Sequence, residues 1–357
     1  MRVARVEGAP LDPPFKGAGF NVSYGRLERL DHRLIRLTTD TGLHGMGEIV
    51  RLPAKDTSVA QALEDQLLPL VRDEALEDLP GLIDGFREEG PAVRGLCLGL
   101  ETAMLDLIGQ ASGMPLSALM GGPANGDVPA LLGLGCDAPD EIAAEIHARS
   151  GPHRMIQVKL GVGEIGLDLH RIEAALAALS PGQTLLADFN GALALPEALE
   201  ALAGLDDARL VWEEPCKALD ENLAFAAKAA RPVLFDQCTG SLPALQKALA
   251  SGLPWAVAVK PFYLGGVTVA RTARDMAVAA GMPCRIDGPW SGQVACAVSL
   301  HLALGVPEDL LLFSGDLTDP LDTPNDLIRH PAPGRVGPVA GPGIGPLARD
   351  AIEGEPI

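Results

Sequence analysis

Six short apolar runs in the middle of the chain each finish on a side chain that can do chemistry. MIQVKL carries Lys159, TLLADFN carries Asp188 and Asn190, and RLVWEE carries Glu213. PVLFD, AVAVK and PCRID end on Asp236, Lys260 and Asp287. If the runs are consecutive parallel strands, their C-terminal ends open on one mouth, where active sites are built. The order lysine, three acids, lysine would then gather three carboxylates between two amines. Carboxylates held close push one another's pKa upward, and a divalent cation removes that conflict. Hard oxygen donors without Cys or His point to Mg²⁺. A cation nearby and partial burial both lower a lysine's pKa, as a base working near neutral pH requires. Simple surface ion pairing is the competing explanation, and six charged ends in consecutive units weigh against it.

The elements that would position these residues follow from the same texture. PALLGLG precedes the six runs and LLLFSGD follows them, with Ala/Leu-rich amphipathic stretches between. A spacing of roughly 25 residues matches one strand, one helix and two loops. Eight such units in succession predict a parallel barrel of the TIM type rather than an open sheet. No G-x-G-x-x-G follows a strand, which removes the doubly wound nucleotide-binding alternative. Upstream, HRLIRLTTDTGLHGMGEIV alternates in the manner of antiparallel strands around a Thr-Asp-Thr-Gly turn. GLCLGLETAMLDLIGQASGMP reads as a helix apolar on nearly every side, stopped at Gly-Met-Pro. Residues 1–125 are therefore expected to form an α+β unit and residues 126–320 the barrel. The Pro/Gly-rich segment 321–357 is either a flexible tail or a strap folding back on the first unit.

Composition narrows the function classes. The 357 residues carry a net charge of −19, which argues against nucleic acid and anionic membrane surfaces as partners. No apolar run approaches the length of a membrane span, and the N-terminus lacks a signal-peptide core. A cytoplasmic location is expected. The six cysteines form no C-x-x-C pair and no zinc-type cluster, so reduced buried thiols are the expectation.

Taken in order, these motifs resemble the mandelate racemase/muconate lactonizing enzyme family of the enolase superfamily. The lysine strand, Asp188-x-Asn190, Glu213-Glu214-Pro215, Asp236 and Lys260 with the following Gly-Gly carry the likeness in the barrel. TDTGLHGMGE and ETAMLDLIGQASGMPLSALMGG carry it in the first unit. The resemblance implies a (β/α)7β barrel under an N-terminal α+β cap completed by the C-terminal segment, and assembly as a homo-oligomer. It implies one Mg²⁺ per subunit on Asp188, Glu213 and Asp236, with Asn190 behind them. Lys159 and Lys260 become an acid/base pair on opposite faces of a small carboxylate, forming an enediolate. Two departures stand out: Gln157 replaces the first lysine of a Lys-x-Lys pair, and Gln237 stands where relatives usually have Glu.

The substrate is less constrained. Gln157, Cys216, Asp287 and Trp290 resemble members acting on proline betaine or hydroxyproline betaine, and a Trp face suits a quaternary or primary ammonium. Racemisation or epimerisation of an amino acid or betaine is the expected activity. Dehydration of a hydroxyproline-like hydroxy acid, epimerisation of a dipeptide or N-acyl amino acid, cycloisomerisation, and an idle binding barrel are the alternatives. Asp316-Leu317-Thr318 replaces the Asp-x-Asp of dipeptide epimerases. Segments 14–24 and 51–57 are candidate specificity loops; Arg51 and Lys55 either meet a second anionic group there or, as the favoured reading, serve a solvated surface.

Overall fold

In the computed structural model, which describes residues 1–17, 19–22, 25–52, 57–124, 126–349 and 354–357, the eight apolar runs are parallel strands. They are Leu132–Leu134, Met155–Lys159, Thr184–Asp188, Leu210–Glu213, Val233–Phe235, Ala256–Val259, Cys284–Ile286 and Leu311–Ser314. Each pairs with the next, and a parallel bridge from Ala130 to Ser314 sets the last strand against the first. A helix follows each of the first seven, from Pro139–Arg149 through Gln293–Ala303, so the barrel is of the (β/α)7β kind.

Strand side chains alternate between two cores. Ile156, Leu185, Trp212, Phe235 and Val257 face outward and pack under the helices. Leu186, Val211, Leu234, Ala258 and Phe313 fill the interior. Two residues beyond four of these interior positions stand Asp188, Glu213, Asp236 and Lys260. Pleat alternation therefore delivers all four to the inside of the mouth, on a floor of aliphatic side chains.

The N-terminal sheet holds Val3–Leu11, His32–Thr39 and His44–Ile49 in antiparallel array, and Glu355–Pro356 adds an edge strand beside the first. Helix Arg94–Ser112 lies across this sheet, buried on almost all sides, and ends at Gly113 in the left-handed conformation (φ 71°). Glycines make that approach possible. A side chain at Gly47 would run into the carbonyl of Gly99, and one at Gly95 into that of Val50. Asp106 of this helix is fully buried and accepts from the amides of Met46 and Ile344, each at 3.0 Å. Arg349 closes the group with bonds of 2.9 and 2.7 Å to the two carboxylate oxygens. The C-terminal segment touches the cap at both ends: Leu321 bridges Phe15 and Asp322 donates to Pro14, Arg335–Pro338 then pairs with Val128–Pro129, and Ile344 and Arg349 return to Asp106. Among the described residues no helix is long and apolar enough to cross a membrane.

Candidate active site

The third, fourth and fifth barrel strands bring Asp188, Glu213 and Asp236 into a contiguous cluster at the mouth, each at most 2% exposed. Burial of three carboxylates demands partners, and each has a distinct set. Asp188 accepts from Gln157 Nε2 at 2.9 Å and from the Asn190 backbone and side-chain nitrogens at 2.8 and 2.5 Å, and pairs with Lys159. Asn190 can turn back on Asp188 because its own φ is +49°. Glu213 takes the second Gln157 bond at 2.7 Å and a two-pronged contact from Arg285, 2.9 Å to Oε2 and 2.6 Å to Oε1. Asp236 holds Lys260 at 2.6 Å through Oδ2, while its Oδ1 is buried without a hydrogen-bond partner.

Lys159 and Lys260 end the second and sixth strands. Positions four apart in eight lie across the barrel from each other, so the two amines approach the mouth from opposite sides. Burial would favour the neutral form of both, yet Asp188 and Glu213 hold Lys159 above its ordinary pKa. Asp236 and Asp287 do the same for Lys260. This is the reverse of the lowering expected beside a metal, because among protein groups alone the carboxylates outweigh burial. Burial, with the neighbouring Asp188 and Asp236 charges, instead drives Glu213 upward despite Arg285.

Three residues escaped the sequence argument. Arg285 occupies the interior level filled by Leu186, Val211, Leu234 and Ala258 on other strands. Its side chain is 1% exposed, and it also lies 3.4 Å from both Asp236 and Asp287. Period-two reading of PCRID would have found it, since 285 and 287 must share a face. Glu214, buried with φ +41°, accepts from the Asp236 amide at 2.7 Å and the Cys238 amide at 3.0 Å and so shapes the loop carrying Asp236. Glu48 of the cap reaches the barrel, accepting from Gly292 at 2.7 Å and Ala295 at 3.0 Å at the start of helix Gln293–Ala303, while His32 Nδ1 meets the same Oε1 as Gly292 at 2.8 Å.

Above the cluster is a cavity of about 570 Å³, lined by Lys159, Asn190, Gln237, Lys260, Asp287 and Trp290 among others, with Val22, Leu27 and Leu52 of the cap. Gln237 Nε2 donates to Asn190 Oδ1 at 3.2 Å. Phe20 meets the Trp290 ring edge-on, with centroids 5.1 Å apart. Arg51 is elsewhere: its guanidinium pairs with Glu64 at 2.5 Å and Asp31 at 2.9 Å, and it does not line this cavity. Two carboxylates satisfy it and leave it nothing to offer a substrate, contrary to the candidate binding role. Lys55 lies outside the described residues. Cys216 is buried, with burial pushing its thiol up to about 11.

Among the described residues no three Asp, Glu, His or Cys side chains stand arranged to hold a metal ion; their oxygens are turned to Lys159, Gln157, Lys260 and Arg285. The donor chemistry nevertheless fits a divalent cation. Asp188, Glu213, Glu214, Asp236 and Asp287 are five buried carboxylates facing three cations, Lys159, Lys260 and Arg285. Acidic groups thus outnumber cations by two, with burial pushing Glu213 and Glu214 toward their neutral forms. The partnerless Asp236 Oδ1 is a free hard-oxygen donor within that surplus.

Comparison with known proteins places these features in context. Residues 8–121 match the mandelate racemase/muconate lactonizing enzyme N-terminal domain, and residues 140–348 match the enolase C-terminal domain-like model. The cis-3-hydroxy-L-proline dehydratase of Roseibium aggregatum is 26% identical over 326 residues, 88% of each chain. The N-succinyl-L-Arg/Lys racemase of Bacillus cereus is 23% identical, covering 92% of this chain and 90% of the relative. A solved member of the enolase superfamily from Roseovarius nubinhibens ISM, complexed with magnesium, superposes with a TM-score of 0.87 at 28% identity, covering 100% of this chain and 98% of that one.

Proposed function

From the premise that this chain belongs to the mandelate racemase/muconate lactonizing enzyme family, we propose that it removes the proton α to a carboxylate, using Lys159 and Lys260 as its two acid/base groups. The observation that carries this is their placement across one cavity, each seated on a different buried carboxylate. Asp188, Glu213 and Asp236 would hold one Mg²⁺. When bound, that ion supplies positive charge where the negative charge of an enediolate gathers.

The lysines do the proton work. One Nζ in its neutral form takes the α-proton, and the other, as an ammonium, delivers a proton to the opposite face, which inverts the centre. Asn190 and Gln157 keep Asp188 and Glu213 oriented throughout. The Trp290 ring favours a cationic nitrogen on the substrate, and Asp287 Oδ1, 3.9 Å from Lys260 and without a hydrogen bond, lines the same cavity. The reading is a racemase or epimerase of a small amino acid or betaine of the proline type.

A second reading is dehydration of a hydroxyproline-type acid, and the likeness to the Roseibium dehydratase favours it. The same lysines serve: one takes the α-proton while the other protonates the departing hydroxyl from the far side. Proton NMR with Mg²⁺ in D₂O separates the two against a panel of amino acids, betaines, N-acyl amino acids and hydroxyprolines. Loss of an α-proton signal with no new species, and loss of optical rotation, supports racemisation; an unsaturated product supports dehydration. Turnover that survives chelation of all divalent metal overturns the ligand assignment.

A further inference from the structure

We infer that Arg285 is a built-in counter-cation that competes with the divalent ion for Glu213 and hands its charge to Asp287 when the ion binds. The inference rests on the reading of Asp188, Glu213 and Asp236 as the ligand set and goes beyond it.

Position makes the case first. On four other strands the interior level below the mouth is aliphatic, and Ala258 and Leu234 show how little polar character that layer needs. A guanidinium there is costly to bury unless it is fully paired, so its partners define its purpose. Nη1 donates to Glu213 Oε2 at 2.9 Å, and Nη2 stands in ion-pair contact with Oε1 at 2.6 Å. Nη2 also lies 3.4 Å from Asp236, and the Phe313 ring sits beneath at 5.6 Å from the guanidinium carbon. Two of the three proposed ligands are thus occupied by one arginine.

An alternative partner is already in reach. Nε is 3.4 Å from Asp287 Oδ2, and Asp287 Oδ1 is buried without a hydrogen bond. The guanidinium cannot lose its proton, so it can leave Glu213 only by moving onto another anion. Asp287 is placed to receive it. Glu213 would keep its orientation after the exchange because Gln157 Nε2 still donates to it at 2.7 Å. Likewise Asp236 stays seated by Lys260 and by the Glu214 hold on its amide. Losing the arginine should therefore remove a competitor for the metal without disordering its ligands.

The test is Mg²⁺ binding to metal-free protein by titration calorimetry, with melting temperature recorded in chelator and in saturating Mg²⁺. Arg285→Met should bind Mg²⁺ about tenfold or more tighter than the natural protein, since a buried like charge is gone. It should melt lower in chelator and gain more from Mg²⁺ than the natural protein does. Arg285→Lys keeps the charge but cannot grip both oxygens of Glu213, so its affinity should fall between the two; it decides the question if Arg285→Met does not fold. Unchanged or weaker Mg²⁺ binding in both variants overturns the role of Arg285. Absence of Mg²⁺ binding in the natural protein and in both variants instead overturns the ligand set on which the inference rests.

Discussion

Lys159 and Lys260 are assigned equivalent chemistry, yet the structure predicts that removing them has unequal consequences for stability. In Lys159→Ala, Asp188 retains three donors, from Gln157 and twice from Asn190, at 2.9, 2.8 and 2.5 Å. One charge-assisted bond is lost while three donors to the carboxylate remain, a cost of about 1.5–3 kcal/mol. In Lys260→Ala, Asp236 Oδ2 keeps only Arg285 at 3.4 Å, and Oδ1 has no hydrogen-bond partner at all. Breaking a buried ion pair this way costs about 3–5 kcal/mol. For a chain of this length each kcal/mol lowers the melting temperature by about 1.3 °C. Melting in chelator should therefore drop by about 2–4 °C for Lys159→Ala and by about 4–7 °C for Lys260→Ala. Both variants should lose at least about 10²–10⁴-fold in racemisation, with one still exchanging the α-proton of a single enantiomer in D₂O. Equal melting losses, or a larger loss for Lys159→Ala, refute the ion-pair reasoning. Racemisation at the natural rate by either variant refutes the two-base assignment.

Three further outcomes are expected. Trp290→Ala should raise KM for cationic substrates by about 2–30-fold and that of neutral analogues by much less; equal shifts in steady-state kinetics would reduce Trp290 to packing. Gly47→Ala should lower stability by about 1–3 kcal/mol in urea unfolding, because the new methyl meets the Gly99 carbonyl across the sheet–helix contact. His301 is buried and its pKa is pushed down from 6.5 to about 4 by that burial, against a smaller opposing bond to the Ile344 backbone. The unfolded chain takes up a proton near pH 6.5 and the folded one only near pH 4. Stability should accordingly fall by up to about 3 kcal/mol as pH drops through that window, and a His301→Gln variant should flatten the slope.

The barrel was legible because its strands are short and apolar and six of the eight close on a charged residue, a pattern that survives without any alignment. Asp188, Glu213, Asp236 and the two lysines were visible for that reason, since each sits where apolar patterning stops. Arg285 was hidden because it lies inside a run, one residue short of an apolar end, and attention to strand ends passes over it. Glu214 was hidden differently: it follows Glu213 directly, and only the positive φ that turns it toward the Asp236 loop separates their duties. Arg51 shows the converse failure. A basic residue in a loop segment suggests a solvated surface or an anion site, but Glu64 and Asp31 are 13 and 20 positions away and no local pattern announces them. The Glu48 bridge to Gly292 spans 244 positions and was equally beyond local reading.

Asp106 has a consequence for the order in which the chain can be finished. Its carboxylate is sealed by Arg349, 243 positions later. During synthesis at about 5–20 residues per second, helix Arg94–Ser112 would wait about 12–50 s before its counter-ion leaves the ribosome. The edge strand Glu355–Pro356, which pairs with Glu7 and Gly8, arrives later still. Throughout that interval the nascent cap carries an unneutralised acid in its core and an open sheet edge, while the barrel is being made behind it. The cap is translated before the barrel yet is locked only after it.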